Sequence, residues 1–123
     1  MKVVQTSAAP SAIGPYSQAM ISGNFVFTSG QIALSPESGQ IIGDTIIEQT
    51  ERVCKNIKAL LEASGSSIEK VVKTTCFLSD MNDFAVFNEV YAKYFSGKPA
   101  RSTVAAKQLP RNVLVEIDTI AEI

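Results

Sequence analysis

The stretch PARSTVAAKQLPRNVLVEID, Pro99 to Asp118, decides how the chain closes. Ser102 to Leu109 and Val113 to Glu122 read as strands, and LPRN between them reads as a short turn, so the pattern predicts a hairpin. The second strand alternates. Val113, Val115, Ile117, Ala121 and Ile123 share one face, while Leu114, Glu116, Asp118 and Glu122 share the other. The apolar face must be covered by another layer. The acidic face must meet water, a ligand or another subunit.

The preceding segments supply that layer. DTIIEQTERVCKNIKALLEASG reads as a helix, with Thr45 and Glu48 as a capping box, Ile46, Val53, Ile57, Leu60 and Leu61 at helical spacing, and Gly65 at the stop. VVKTTCFLSD gives a strand from Val71 to Ser79. A second helix follows in NDFAVFNEVYAKYFSG, capped by Asp80, Asn82 or Asp83 and ended by Gly97 and Pro99. Its aromatic stripe, Phe84, Phe87, Tyr91, Tyr94 and Phe95, has the spacing of a buried face. Upstream, SAAPSAIGPYSQAM reads as a loop. NFVFTSGQIAL reads as a strand from Asn24 to Leu34, and Gly30 within it marks a bulge or a close backbone approach. Gln40 to Ile42 reads as a brief return strand. Strands alternating with helices predict an α+β sandwich: a mixed sheet with two helices on one face, in a single domain spanning residues 1–123.

Composition narrows the functions. A chain of 123 residues, 46% hydrophobic and 19% charged, folds around one core rather than remaining disordered. The net charge of −1 and the scattered lysines and arginines argue against general nucleic-acid binding. No histidine is present, which removes Ser-His-Asp and Cys-His mechanisms and histidine-ligated metal sites. Cys54 and Cys76 form no CxxC pair and lie in apolar segments, so buried free thiols are expected. The glycines form no phosphate loop. MKVVQTSAAPS lacks the apolar centre of a signal peptide and no run reaches membrane-spanning length, so a cytoplasmic protein is expected.

Four side chains carry chemical interest on these grounds alone. Arg101 is a planar, permanent cation that can grip a carboxylate with two hydrogen bonds, or a solvated surface residue. Glu116 can order a water and take its proton, but Asp118 and Glu122 share its face. Asn88 sits mid-helix between Phe84 and Tyr91, where asparagine has no local advantage, and is either a functional group or simply an exposed residue. Tyr16 follows Gly14-Pro15 and is either a core plug or a pocket wall.

AIGPYSQA (Ala12 to Ala19), FTSGQI (Phe27 to Ile32), Val71 to Phe95 and PARSTVAAKQLPRNVLVEI (Pro99 to Ile117) together resemble the reactive intermediate deaminase A family, also called YjgF/YER057c/UK114. The resemblance covers nearly the whole chain. It implies a chorismate-mutase-like, ferredoxin-variant α+β fold assembled as a homotrimer with a central β-barrel and clefts between subunits. It implies hydrolysis of 2-imino acids such as 2-aminoacrylate and 2-iminobutanoate to 2-oxo acids and ammonia, with no metal or organic cofactor. It implies that Arg101 clamps the substrate carboxylate, that Glu116 activates water, and that Tyr16, Ser29, Gly30 and Asn88 line the pocket. Many relatives carry cysteine where this chain has Thr103; a backbone contact to the imine nitrogen would survive that change. The same cleft also fits a binding protein that senses 2-oxo acids without turnover. RNA cleavage, attributed to some relatives, fits the composition less well, and pericyclic chorismate chemistry rests on fold analogy alone.

Overall fold

The computed structural model describes all residues, Met1–Ile123. Six strands form one sheet: β1 (Lys2–Val4), β2 (Ala19–Ser22), β3 (Phe25–Thr28), β4 (Val71–Leu78), β5 (Ala100–Ala105) and β6 (Val115–Glu122). Two helices, α1 (Ile46–Ala63) and α2 (Phe84–Tyr94), complete it. The strand order is β1-β2-β3-β6-β4-β5. Every neighbouring pair is antiparallel except β4 and β5, which run parallel across the α2 crossover.

The helix α1 begins where the sequence says it should. The Thr45 hydroxyl accepts from the Glu48 N–H, and the Glu48 carboxylate accepts from the Thr45 N–H, closing the capping box. Val53, Cys54, Ile57, Leu60 and Leu61 are fully buried and join Phe87 and Tyr91 of α2, and Phe95 just after it, in one core cluster. Each such side chain contributes about 1.5–3 kcal/mol by leaving water, so tertiary packing more than helix propensity holds α1 in place. The sheet meets this layer through Val26, Cys76, Leu78, Val115, Ile117 and Ala121, all inaccessible. The opposite face of the sheet has no covering layer. On it, Val3 is 57%, Phe27 43% and Val104 50% exposed.

Three expectations need correction. The last two strands are not a hairpin. β6 lies at the centre of the sheet with both edges occupied, by β3 and β4, while β5 lies outside β4 as an edge strand. Its residues explain the placement: ARSTVA is half polar and entirely exposed or half-buried, whereas β6 buries every second residue. β5 also begins earlier and ends sooner than the predicted Ser102 to Leu109. The strand expected from Asn24 to Leu34 stops at Thr28, and pairing resumes only at a bridge between Gln31 and Ile117, so Ser29 and Gly30 interrupt it. The third correction concerns Gln40 to Ile42, which contributes only one bridge, Leu34 to Ile41. The pair β1–β2, at the far edge of the sheet, was not foreseen; its short strands are separated by a long loop.

Candidate active site

Arg101 stands on edge strand β5 opposite Thr74, and Thr74 is opposite Thr119 of β6. Facing residues in a ladder project to the same side, so Arg101 lies on the helix-covered face. There α2 receives it. Nη1 of Arg101 donates to Oδ1 of Asn88 at 2.8 Å. The guanidinium carbon lies 4.8 Å from the Tyr91 ring centre and 5.4 Å from that of Phe84. Tyr91 is itself fixed: its hydroxyl meets that of Thr74 at 2.7 Å, and its ring stacks on Phe95 at 4.5 Å. The aromatic faces attract the cation and the asparagine fixes one edge of its fork, so the remaining N–H groups are presented in one orientation. A cavity of about 550 Å³ opens beside it, bounded by Tyr91, Phe95, Lys98 and Arg101.

Glu116 stands on β6 opposite Phe77, and Phe77 is opposite Val104. These residues occupy the bare face. Glu116 borders a smaller cavity, about 120 Å³, with Tyr16, Gln18, Gly30, Pro10 and Pro110. Gly30 makes room for it. A β-carbon at position 30 would sit 2.8 Å from the Glu116 carboxyl carbon, and still closer to one of its oxygens. Burial, helped by the negative charge of Asp118, raises the Glu116 carboxyl above its ordinary value of 4.5. Asp118 is raised as well by burial, against the opposing pull of the Thr75 hydroxyl and Lys73. A carboxylate of elevated basicity beside a cavity large enough for several waters is suited to accepting a proton.

The structure thus gathers the singled-out residues into two groups. Asn88 and Arg101 meet directly. Tyr16, Gly30 and Glu116 border one cavity. One copy of the chain does not bring the two groups together, because they occupy opposite faces of the sheet. Thr103 lies on the Arg101 side, opposite Cys76; its Oγ1 is buried and has no hydrogen-bond partner. The Ser29 hydroxyl donates to the Ser17 carbonyl at 2.6 Å, which makes it a tie between segments. Both cysteines are buried free thiols. Burial pushes Cys76 up to about 11 and raises Cys54 also, so neither is a thiolate nucleophile at neutral pH.

Three contributors were not foreseen from sequence. Tyr91 and Phe84 serve the Arg101 cation as well as the apolar layer, and their placement three residues after and four before Asn88 is the available signal. Gln18 is buried within an otherwise small-residue segment, and nothing in its surroundings in the sequence announces that.

A family profile described as Endoribonuclease L-PSP matches residues 6–123. A RutC family protein of Pyrococcus abyssi is 53% identical over 121 residues, covering 98% of this chain and 95% of that protein. A mouse (Mus musculus) protein named 2-iminobutanoate/2-iminopropanoate deaminase is 46% identical, covering 98% and 90%. The crystal structure of RidA from the Antarctic bacterium Psychrobacter sp. superposes with a TM-score of 0.95 at 43% identity, covering both chains completely. With the six-stranded sheet, its two helices and the four sequence motifs all in agreement, the chain belongs to the Endoribonuclease L-PSP family, the same YjgF/YER057c/UK114 group of reactive intermediate deaminases that its sequence resembles.

Proposed function

We propose that this protein hydrolyses reactive 2-imino acids, 2-iminobutanoate and the imine tautomer of 2-aminoacrylate among them, to 2-oxo acids and ammonia. The observations that support this reading are a guanidinium oriented by Asn88 on one face of the sheet and, on the other, a carboxylate of raised basicity bordering a cavity of about 120 Å³. The naming of the mouse relative points the same way. In this mechanism Arg101 takes the substrate carboxylate, with Asn88 holding its fork. Glu116 orients a water against the imine carbon and accepts a proton as the C–O bond forms. The tetrahedral carbinolamine then collapses. Glu116 returns its proton to the nitrogen, the C–N bond breaks as the hydroxyl oxygen forms the carbonyl, and the hydroxyl proton leaves with the ammonia as ammonium, so that a 2-oxo acid remains. A protonated imine is already electrophilic, so positioning supplies most of what is required. The backbone at Thr103, together with Tyr16, Ser29 and Gly30, completes the pocket in this proposal.

Opposite placement of Arg101 and Glu116 supports a site shared between copies, with Arg101 from one subunit and Glu116 from its neighbour. The exposed apolar side chains of the bare face support its burial against other copies, in keeping with a closed homotrimer around a central barrel. A cytoplasmic setting accords with two unpaired thiols. The family description also names RNA cleavage, but with no histidine and a net charge of −1 the imine reading has the better chemical support.

Threonine dehydratase generates 2-iminobutanoate, and semicarbazide traps it. Wild-type protein is expected to outcompete the trap, and Arg101→Ala is expected to fail. If neither protein alters trapping, hydrolysis is refuted, and a carboxylate-binding sensor takes its place.

A further inference from the structure

The loop from Gln5 to Ser17 lines the Glu116 cavity through Pro10, Ser11 and Tyr16, yet it has almost no hydrogen bonding of its own. Its single backbone–backbone bond runs from the Tyr16 N–H to the Gly14 carbonyl. The arch is instead tied to one side chain. Oε1 of Gln18 accepts from the Thr6 N–H at 2.8 Å. Its Nε2 donates to the carbonyls of Pro10 at 2.8 Å, Thr6 at 3.0 Å and Ala9 at 3.3 Å. Two amide hydrogens are thus shared over three carbonyls, and both ends of a primary amide are satisfied. Gln18 is only 4% exposed, and Ala9, tucked into the core at 1%, is the arch's apolar anchor. A bond from the Ser29 hydroxyl to Ser17 and one from the Ser29 N–H to the Gln18 carbonyl tie the returning limb to the sheet.

Gln18 and Tyr16 also form a partition. Both border the Glu116 cavity of about 120 Å³ and a second cavity of about 430 Å³, lined by the loop and β1. Pro10, which accepts one of the Gln18 bonds, is another wall of the Glu116 cavity. We propose that Gln18 is a positioning residue: its amide clamps the arch so that Tyr16 and Pro10 form fixed walls around the space where Glu116 meets its water. The kinetic side of this inference rests on the imine-hydrolysis reading; the positional side does not.

The chain has three tyrosines, so incorporation of 3-fluorotyrosine gives three fluorine resonances, and Tyr16→Phe identifies the one from Tyr16. Gln18→Met keeps the length and removes every hydrogen bond. It is expected to shift or broaden the Tyr16 resonance while those of Tyr91 and Tyr94 stay in place, and to lower kcat/KM about tenfold, chiefly through KM. Gln18→Glu provides a conditional rescue. Protonated, it can accept from Thr6 and donate to Pro10; ionised, it confronts three carbonyl oxygens. Its Tyr16 resonance is expected to match wild type in acid and depart from it as the pH rises. An unmoved Tyr16 resonance in Gln18→Met overturns the proposal. If that variant does not fold, amide exchange in the wild type decides: a protected Thr6 N–H sustains the clamp, and exchange at an unstructured rate overturns it. A wild type that turns over no imine refutes the enzymatic reading, and the fluorine spectra still judge the clamp.

Discussion

The two faces of the sheet were built to different rules. The helix-covered face is dry and tightly filled, and it includes Val26, Cys76, Leu78, Val115 and Ile117 with no accessible surface. The bare face carries half-exposed Val3, Phe27 and Val104 beside the half-buried carboxylates of Glu116 and Asp118. Arg101 draws its rigidity from the covered side, through Asn88 and the rings of Tyr91 and Phe84. Glu116 draws its basicity from the other, through burial and a neighbouring acid. The covered face stabilises the fold, while the bare face holds the carboxylate that the proposed mechanism pairs with an arginine from another copy. A sheet that divides its two charged groups in this way cannot use both on one substrate within a single copy.

The largest expected effects test that division. Glu116→Gln should lower kcat about 10²- to 10⁴-fold, the usual contribution of a positioned acid or base. Arg101→Ala should be comparably inactive. If each site draws on two copies, unfolding and refolding an equal mixture of the two inactive variants should restore activity: about one site in four pairs an intact arginine with an intact glutamate in randomly mixed rings. Steady-state assays of the mixture against each parent measure this, and no recovery would place both groups in one subunit's site. Gly30→Ala is next in size. Its methyl would occupy space now filled by the Glu116 carboxyl, so kcat should fall about tenfold or more while the thermal midpoint changes little. Asn88→Ala removes the bond to the Arg101 fork and should raise KM by about tenfold, as loss of a hydrogen bond to a charged group does.

Acid–base behaviour sharpens the contrast further. As a proton acceptor, Glu116 must be ionised, so activity should be lost as pH falls through its raised pKa, above the ordinary 4.5. The stability effect has the opposite sign. A carboxyl raised in the folded state favours its protonated form, so its stabilising contribution is present in acid and disappears as pH rises through the folded pKa. Glu116→Gln should therefore raise the thermal midpoint at neutral pH while removing turnover. Asp118→Asn should also stabilise and should move the acid limb of the kcat profile downward, because a charge that raises Glu116 is gone. The smallest effect belongs to Thr103→Cys. The Thr103 Oγ1 has no partner to lose, so kcat/KM should stay within about threefold of wild type.

What was legible in the sequence divides along the same line. α1 was readable because its signals are local: a capping box at Thr45 and Glu48, and apolar residues at helical spacing. The alternation of β6 was equally plain. Its partners were not, because strand order is a long-range property. The short LPRN turn suggested a hairpin, and the polar make-up of ARSTVA was not read as the mark of the edge strand that the structure shows. The role of Gly30 was half visible: an interrupted strand was apparent, but not the carboxylate that fills its missing side chain. The tie from Gln18 to Thr6 and Pro10 left no local trace, since it joins residues eight to twelve apart by side chain alone. The two separate neighbourhoods of Arg101 and Glu116 could not be read from their fifteen-residue spacing; they follow from the ladder registers.

The parallel crossover of β4, α2 and β5 has a consequence for descent. Arg101, the asparagine that steadies it and the rings beneath it all fall between Val71 and Ala105, on one continuous stretch of chain. The proposed carboxylate clamp can therefore be inherited, duplicated or exchanged as one cassette, while Glu116, Gly30 and Tyr16, scattered from the N-terminal arch to the final strand, must diverge piecemeal.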